Sequence, residues 1–194
     1  MRSREYTALR LLFALGVTGV VALFVGVGVI FATQHRENPK APDYRVVEIG
    51  GIEYESMQGR PIDPANQVDH EIITGLPEQQ RNVTPKQALY GAFIGITNDS
   101  SRPLPTADRI ELRDEGGHVY RPLSLPLTNP YAYSQRTLRP GTRIPAFGSV
   151  ADDNLAATGQ LLVFRVPKKA YQAATLELVI HDPSQPGSTA SLII

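Results

Sequence analysis

The feature that most constrains this chain is an uninterrupted apolar run near its start. From Leu11 to Gln34, 24 residues carry no charge, and Thr18 is the only polar residue before Thr33. A helix rises about 1.5 Å per residue, so roughly 20 residues cross the hydrocarbon core of a bilayer. A helix that packs in a globular domain needs a polar face, which this run lacks. The run therefore predicts a single membrane-spanning helix whose partner is the lipid bilayer.

A cleaved signal peptide is the alternative interpretation of the same run. Signal peptides have apolar regions of about 7–15 residues that end at small residues. This run is longer and ends in Ile30-Phe31-Ala32-Thr33-Gln34, so an uncleaved anchor is favoured. Basic residues flank the run almost equally and do not decide its orientation. The short leading segment 1–10 and the large following domain favour a cytoplasmic N-terminus and an extracytoplasmic C-terminal domain.

Small residues recur every four positions within the predicted span, at Ala14, Thr18, Ala22 and Gly26. This spacing lets two helix backbones approach closely. These residues are therefore candidate helix–helix contacts of a homodimer, although small residues are also common in membrane helices generally. Residues 35–43 follow as a polar linker with two prolines, which predicts an extended spacer.

Residues 44–194 show short apolar runs separated by turn signals. Val46 to Met57 alternates, with a change of phase at Gly50-Gly51 that predicts a β-bulge. Leu89 to Thr97 is apolar on both faces, as in a central strand. Ile110 and Leu112 alternate with charged residues, as in a half-solvated strand. A hairpin turn is predicted at 114–117, and further strands at 118–121, 161–166, 176–180 and 188–194.

About seven strands in 150 residues predict an antiparallel β-sandwich. Helix is limited to a turn at Pro85–Tyr90 or at Asp152–Thr158. Two stretches, 58–87 and 122–158, are rich in turn residues and predict long loops. Long loops in a compact domain usually carry function or contain an unrecognised element, and Thr142 to Val150 is a candidate hidden strand.

Three motifs follow one another in the predicted domain. They are Ala88-Leu-Tyr-Gly-Ala-Phe-Ile-Gly-Ile-Thr-Asn98, Leu112-Arg-Asp-Glu-Gly-Gly-His-Val-Tyr120 and Gly159-Gln-Leu-Leu-Val-Phe-Arg-Val-Pro167. Over roughly residues 88–182 this order resembles the telokin-like, immunoglobulin-related domains of bacterial membrane-anchored proteins and lipoproteins. The resemblance implies a sandwich and an exported location. That family has no assigned activity, so the resemblance implies no site.

Composition excludes several kinds of chemistry. There is no cysteine, which rules out disulfides, thiol nucleophiles and thiolate-bound metals. From Asp43 onward 14 Lys and Arg face 17 Asp and Glu, unlike the basic footprint of a nucleic-acid-binding protein. No zinc-protease or serine-hydrolase motif is present. Asp152-Asp153-Asn154 offers oxygen ligands for calcium, but a capped turn that opens a short helix is the favoured interpretation. The sequence thus predicts no enzyme, no cofactor and no metal.

The candidate partner surface lies in the 122–158 stretch, at Asn129, Tyr131 and Tyr133. Tyrosines on loops make good contact residues because they combine apolar area with a hydroxyl group. The alternative is that both tyrosines pack down over one end of the sandwich. The sequence therefore predicts a non-catalytic protein-interaction module of the envelope. A small-ligand or cation-binding module is the second hypothesis.

Overall fold

The computed structural model describes residues 45–172 and 175–194. Within this part of the chain, no helix combines the length and the apolar character needed to cross a membrane. The predicted span 11–34, its candidate helix–helix contacts at Ala14, Thr18, Ala22 and Gly26, and the linker 35–43 lie outside the described residues.

The described part of the chain contains twelve β-strands, which pair antiparallel in three sheets, and four short helices. The strands are β1 (Val46–Ile49), β2 (Ile52–Ile62), β3 (Gln87–Asn98), β4 (Leu104–Pro105), β5 (Ile110–Arg113), β6 (Val119–Tyr120), β7 (Pro122–Leu123), β8 (Thr137–Leu138), β9 (Thr142–Ile144), β10 (Gln160–Pro167), β11 (Glu177–His181) and β12 (Thr189–Ile193). The helices are α1 (Gln67–Ile72), α2 (Glu78–Arg81), α3 (Val150–Asp153) and α4 (Lys168–Gln172).

The first sheet has the order β1-β2-β3-β10-β7, and β9 also pairs with β3. Strand β3 pairs with β2 along one side. On its other side it pairs first with β10, up to Ile94, and then with β9, from Ile96 onward. The apolar run 89–97 is therefore a central strand, as its sequence predicts.

The second sheet has the order β12-β11-β5-β6 and packs against the first. Alternate residues of its strands, among them Ile110, Leu112 and Ile180, join Ala92 and Phe164 of the first sheet in one hydrophobic core. Burying such side chains stabilises the fold by about 1.5–3 kcal/mol each. The prediction of an antiparallel β-sandwich is thus confirmed, and a small two-stranded sheet of β4 and β8 is added to it.

A second hydrophobic core lies on the opposite face of the first sheet. Here Leu89 and Phe93 of β3 pack with Ile72 of α1 and with Tyr131. This covering layer explains why β3 is apolar on both faces, since each face meets a different core.

The covering layer comes largely from the two stretches that were predicted as loops. Residues 58–87 contain the end of β2 and the helices α1 and α2, whereas 122–158 contains β7, β8, β9 and α3. The hidden strand expected at Thr142 to Val150 is confirmed only over Thr142–Ile144, which form β9, because α3 already begins at Val150. The prediction of a helical turn at Pro85–Tyr90 is wrong, because β3 begins at Gln87 and pairs with β2 and β10.

Helix α1 begins at an N-cap that was not predicted from the sequence. The Asn66 side chain accepts hydrogen bonds from the backbone amides of Val68 and Asp69. Asp69 is buried, lies 2.7 Å from the Arg60 guanidinium and accepts a hydrogen bond from the amide of Asp63. Asn followed three residues later by an acid is a helix-start signal, so this helix was detectable.

The change of phase at Gly50-Gly51 is a hairpin turn and not a bulge. The two glycines have φ of +61° and +79°, as a two-residue type I′ turn requires. Strands β1 and β2 pair directly across it, with Ile49 opposite Ile52. The β-bulge of this region lies instead between Ser56 and Gln58.

Candidate contact surface

Asn129, predicted as a contact residue, is buried and holds the covering layer together. Its Nδ2 donates to the carbonyl oxygens of Ile72 and Thr74, at 2.9 and 3.0 Å. Its Oδ1 accepts from the amide of Tyr131 at 2.8 Å. These bonds join segment 126–133 to the end of α1. The buried Asn129 side chain therefore has a structural role.

Tyr131 is also buried, with 6% of its surface exposed. Its ring packs in the second core beside Phe93 and Leu161, and its hydroxyl accepts a 2.7 Å hydrogen bond from Asn154 Nδ2. The backbone of Tyr131 accepts from the amide of Leu161 in β10. The residue thus fixes the loop after α3 to the sheet.

Tyr133 is half-buried against the first core. Its hydroxyl donates to the carbonyl oxygen of Ala107, and burial raises the pKa of the hydroxyl to about 12. The structure corrects the expectation of a contact surface at Asn129, Tyr131 and Tyr133, because these side chains face inward. It supports the alternative, in which the tyrosines pack over the sandwich.

The same segment nevertheless carries the most exposed apolar side chains. Of the large apolar side chains in the described residues, the four with the highest exposure are Leu127 (80%), Phe147 (79%), Val150 (60%) and Leu155 (97%). All four lie in the 122–158 stretch. We call these four residues the apolar rim.

An ion pair and a ring contact hold part of the apolar rim in place. The Arg143 guanidinium carbon lies 4.2 Å from the centre of the Phe147 ring, a cation–π contact. Arg143 Nη2 also lies 2.6 Å from Asp152 Oδ1 in α3, and Asp152 Oδ2 accepts from the amide of Gly148. Phe147 is therefore exposed but ordered by its neighbours.

A cleft of about 480 Å³ opens beside the apolar rim. Leu127 forms part of its wall, together with Pro145, Ala146 and Ser149 from the segment that leads into α3. The buried Ser149 Oγ has no hydrogen-bond partner in the described part of the chain. The volume lies in the range of sites that accept a small ligand or a side chain of a partner.

The acidic run at α3 is engaged within the protein. Asp152 binds Arg143 and the amide of Gly148, and Asn154 binds Tyr131. No group of three His, Cys, Asp or Glu residues is placed to hold a metal ion within residues 45–172 and 175–194. The run lies at the end of α3 and does not open a helix, and the Ser149 side chain makes no capping hydrogen bond at the start of α3.

A polar cluster lies on the outward face of the second sheet. The predicted alternation of β5 leaves Arg109 and Arg113 exposed, but Glu111 between them is buried. Glu111 Oε1 accepts from Arg109 Nη2 at 2.9 Å, and Oε2 lies 3.2 Å from His181 Nε2. Burial alone would raise the pKa of Glu111, yet the hydrogen bonds and charges of Arg109 and His181 bring it below its ordinary value.

Comparison with known proteins does not define a family. No family model and no curated protein matches the sequence. Three solved structures are similar to 77% of this chain. They are the YjhA protein of Bacillus subtilis (11% identity, TM-score 0.45, 95% of that chain), a conserved hypothetical protein of Bacillus anthracis (10%, 0.41, 92%) and an uncharacterized β-sandwich protein of Clostridium difficile 630 (9%, 0.37, 89%). All three scores lie below 0.5, so the sandwich architecture rests on this chain's own sheets. The telokin-like resemblance stays a prediction.

The exposed side chains of this segment were not predicted from the sequence. Phe147 and Leu155 stand among glycine, serine, asparagine and alanine, where a single apolar residue lacks the periodic neighbours that mark a buried face. The absence of such neighbours is the signal that could have predicted that Phe147 and Leu155 are exposed.

Proposed function

We propose that this chain is a membrane-anchored extracytoplasmic β-sandwich protein, of the telokin-like type, that binds another protein without catalysing a reaction. Residues 11–34 are the anchor and the apolar rim is the contact surface. The single observation that carries the contact surface is the exposure of Leu127, Phe147, Val150 and Leu155 in one segment.

The apolar rim has the properties of a surface that a partner covers. Each of its side chains contributes about 1.5–3 kcal/mol when it is removed from water, and aromatic anchors commonly dominate such interfaces. Arg143 holds Phe147 before any partner arrives, which lowers the entropy cost of binding. The cleft beside Leu127 can accept a side chain from the partner.

The proposal is tested by crosslinking the full chain in native membranes and purifying it with its attached partners. The double variant Phe147→Ser/Leu155→Ser should lose the partner that the unchanged chain captures. The matched control is Val68→Ser/Val119→Ser, which removes two exposed valines outside the apolar rim and should retain that partner. Equal capture by both double variants would exclude the apolar rim as the contact surface.

The anchor is tested in the same preparation. The full chain should stay in the membrane fraction after alkaline carbonate extraction, and its C-terminal domain should be open to protease from the extracytoplasmic side. A chain without residues 11–34 should be released. Recovery of the full chain in the soluble fraction would contradict the anchored location.

A further inference from the structure

The outward face of the second sheet carries more exposed positive than negative charge. Arg109, Arg113 and Arg121 are exposed, whereas the carboxylate of Glu111 is buried among them. Residues two apart in a strand lie on the same face, and the pairing of Leu112 with Tyr120 brings Arg121 beside Glu111. The three guanidinium groups therefore project from one region of the sheet.

A cleft of about 410 Å³ opens at this region, with Arg109, Glu111, Arg121 and Pro122 in its wall. The Arg121 side chain is 84% exposed, and its Nε lies 3.8 Å from Glu111 Oε1, beyond a good hydrogen bond. Arg109 donates one hydrogen bond to Glu111, and its side chain is 57% exposed. Since a guanidinium carries five N–H donors, both arginines keep donors for a further acceptor.

Glu111 is held within the protein and does not compete strongly with an anion for the remaining arginine donors. Both of its oxygens are engaged, Oε1 by Arg109 and Oε2 by His181. The remaining acid of the cleft wall is Asp108, an exposed residue at the start of the strand. An anion would thus meet Arg121 first and Arg109 second.

We propose that this cleft binds a small oxyanion, a phosphate or a carboxylate group, through the guanidinium groups of Arg109 and Arg121. Planar guanidinium forks match the geometry of both groups and bind them by charge-assisted hydrogen bonds. Glu111 engages one donor of Arg109, and His181 engages the other oxygen of Glu111. The site is separate from the apolar rim, so it does not depend on the proposed protein partner.

The test follows the thermal unfolding of the full chain, solubilised in a neutral detergent, at constant ionic strength. Chloride is replaced stepwise by inorganic phosphate in one series and by citrate in another. A ligand that binds the folded state raises Tm with concentration, and constant ionic strength removes general screening. The two series distinguish a phosphate site from a carboxylate site.

The variants separate binding from a purely structural role. Arg121→Gln should weaken the anion's apparent affinity at least about tenfold, whereas Arg139→Gln, which removes an exposed arginine elsewhere, should leave it unchanged. Glu111→Gln should strengthen it at least about threefold, because it removes a negative charge and releases Arg109. If the cluster were merely structural, Glu111→Gln would lower Tm, but the rise of Tm with phosphate or citrate would be the same as in the unchanged chain. The proposal is overturned if neither anion raises Tm, or if Arg121→Gln and Arg139→Gln respond alike.

Discussion

Asp114 closes the turn between β5 and β6 with its carboxylate. It accepts hydrogen bonds from the Tyr120 hydroxyl at 2.7 Å and from the amide of His118 at 2.9 Å, and His118 Nδ1 lies 3.1 Å away. The Tyr120 hydrogen bond, followed by the contacts with His118, lowers the pKa of Asp114 from 3.8 to about 2. The ionised carboxylate therefore stabilises this turn.

The lowered pKa of Asp114 makes the stability of the folded protein depend on pH. Because the pKa is lower in the folded state than in the unfolded state, the contribution is complete above about pH 4 and is lost as the pH falls toward 2. Asp114→Asn cannot titrate, so its free energy of unfolding should fall less steeply than that of the unchanged chain over this window. Urea unfolding at intervals between pH 2 and pH 6 measures both slopes. Tyr120→Phe should give an intermediate slope, and parallel slopes for all three proteins would contradict this account.

Two residues of this region differ in how far neighbouring residues in the sequence predict their environment. The turn at Asp114 follows from its own neighbours, and the sequence predicts it. The burial of Glu111 does not follow from them, because its partners come from three places in the chain. Arg109 lies just before β5, Arg121 follows β6, and His181 ends β11. Charge alternation in one strand cannot reveal that pairing.

At the scale of elements, the β1–β2 hairpin depends on two glycines that adopt left-handed backbone conformations. Gly51 has a φ of +79°, and a methyl group there would lie 2.9 Å from Leu104 Cδ1. Both the conformation and the contact disfavour a side chain.

Gly51→Ala should therefore lower the free energy of unfolding by about 1–2 kcal/mol. The matched control is Gly95→Ala in β3, where a methyl group would meet Met57 Sδ at an ordinary 3.4 Å and the backbone is not left-handed. That variant should change stability little. Urea unfolding measures the free energy of unfolding of both variants. Equal losses of stability would contradict the requirement for a left-handed backbone at Gly51.

The sequence predicts the strands of the sandwich better than it predicts the covering layer. Strands β3, β5, β10 and β12 have alternating or doubly apolar patterns and are present near the predicted bounds. Helices α1 and α2 have 6 and 4 residues, too short for a full helical period of apolar residues to repeat. Helix α1 is stabilised by Ile72, which packs in the second core, whereas α2 has no buried residue and is held by hydrogen bonds from Arg165 of β10 to the carbonyl oxygens of Gln79 and Gln80. Both sets of contacts lie outside a local window.

At the scale of the whole described domain, Tyr131 links the covering layer to the sandwich. Its ring fills the second core, and its hydroxyl holds Asn154. Tyr131→Ala should cost about 3–5 kcal/mol, as for other large aromatic truncations in cores. It should also loosen segment 145–159 before the sandwich itself unfolds.

Limited proteolysis tests this order of events. The Tyr131→Ala protein should be cut first within 145–159 under conditions that leave the unchanged chain intact. Leu155→Ala, which truncates a side chain that is 97% exposed, should keep the normal cleavage pattern and lose less than about 0.5 kcal/mol. Cleavage of both variants at the same rate would contradict a linking role for Tyr131.

By itself, the sequence determined where β3, β5, β10 and β12 run and where the turn between β5 and β6 falls. Those features depend on alternation and on turn residues, which act between residues a few positions apart. Only the tertiary structure decided which side chains of 122–158 face outward. The partners of Asn129 lie 57 and 55 residues earlier in the chain, and the core that receives Tyr131 is built from β3, β10 and α1. Burial is set by what packs against a residue, and for this segment those contacts come from distant parts of the chain.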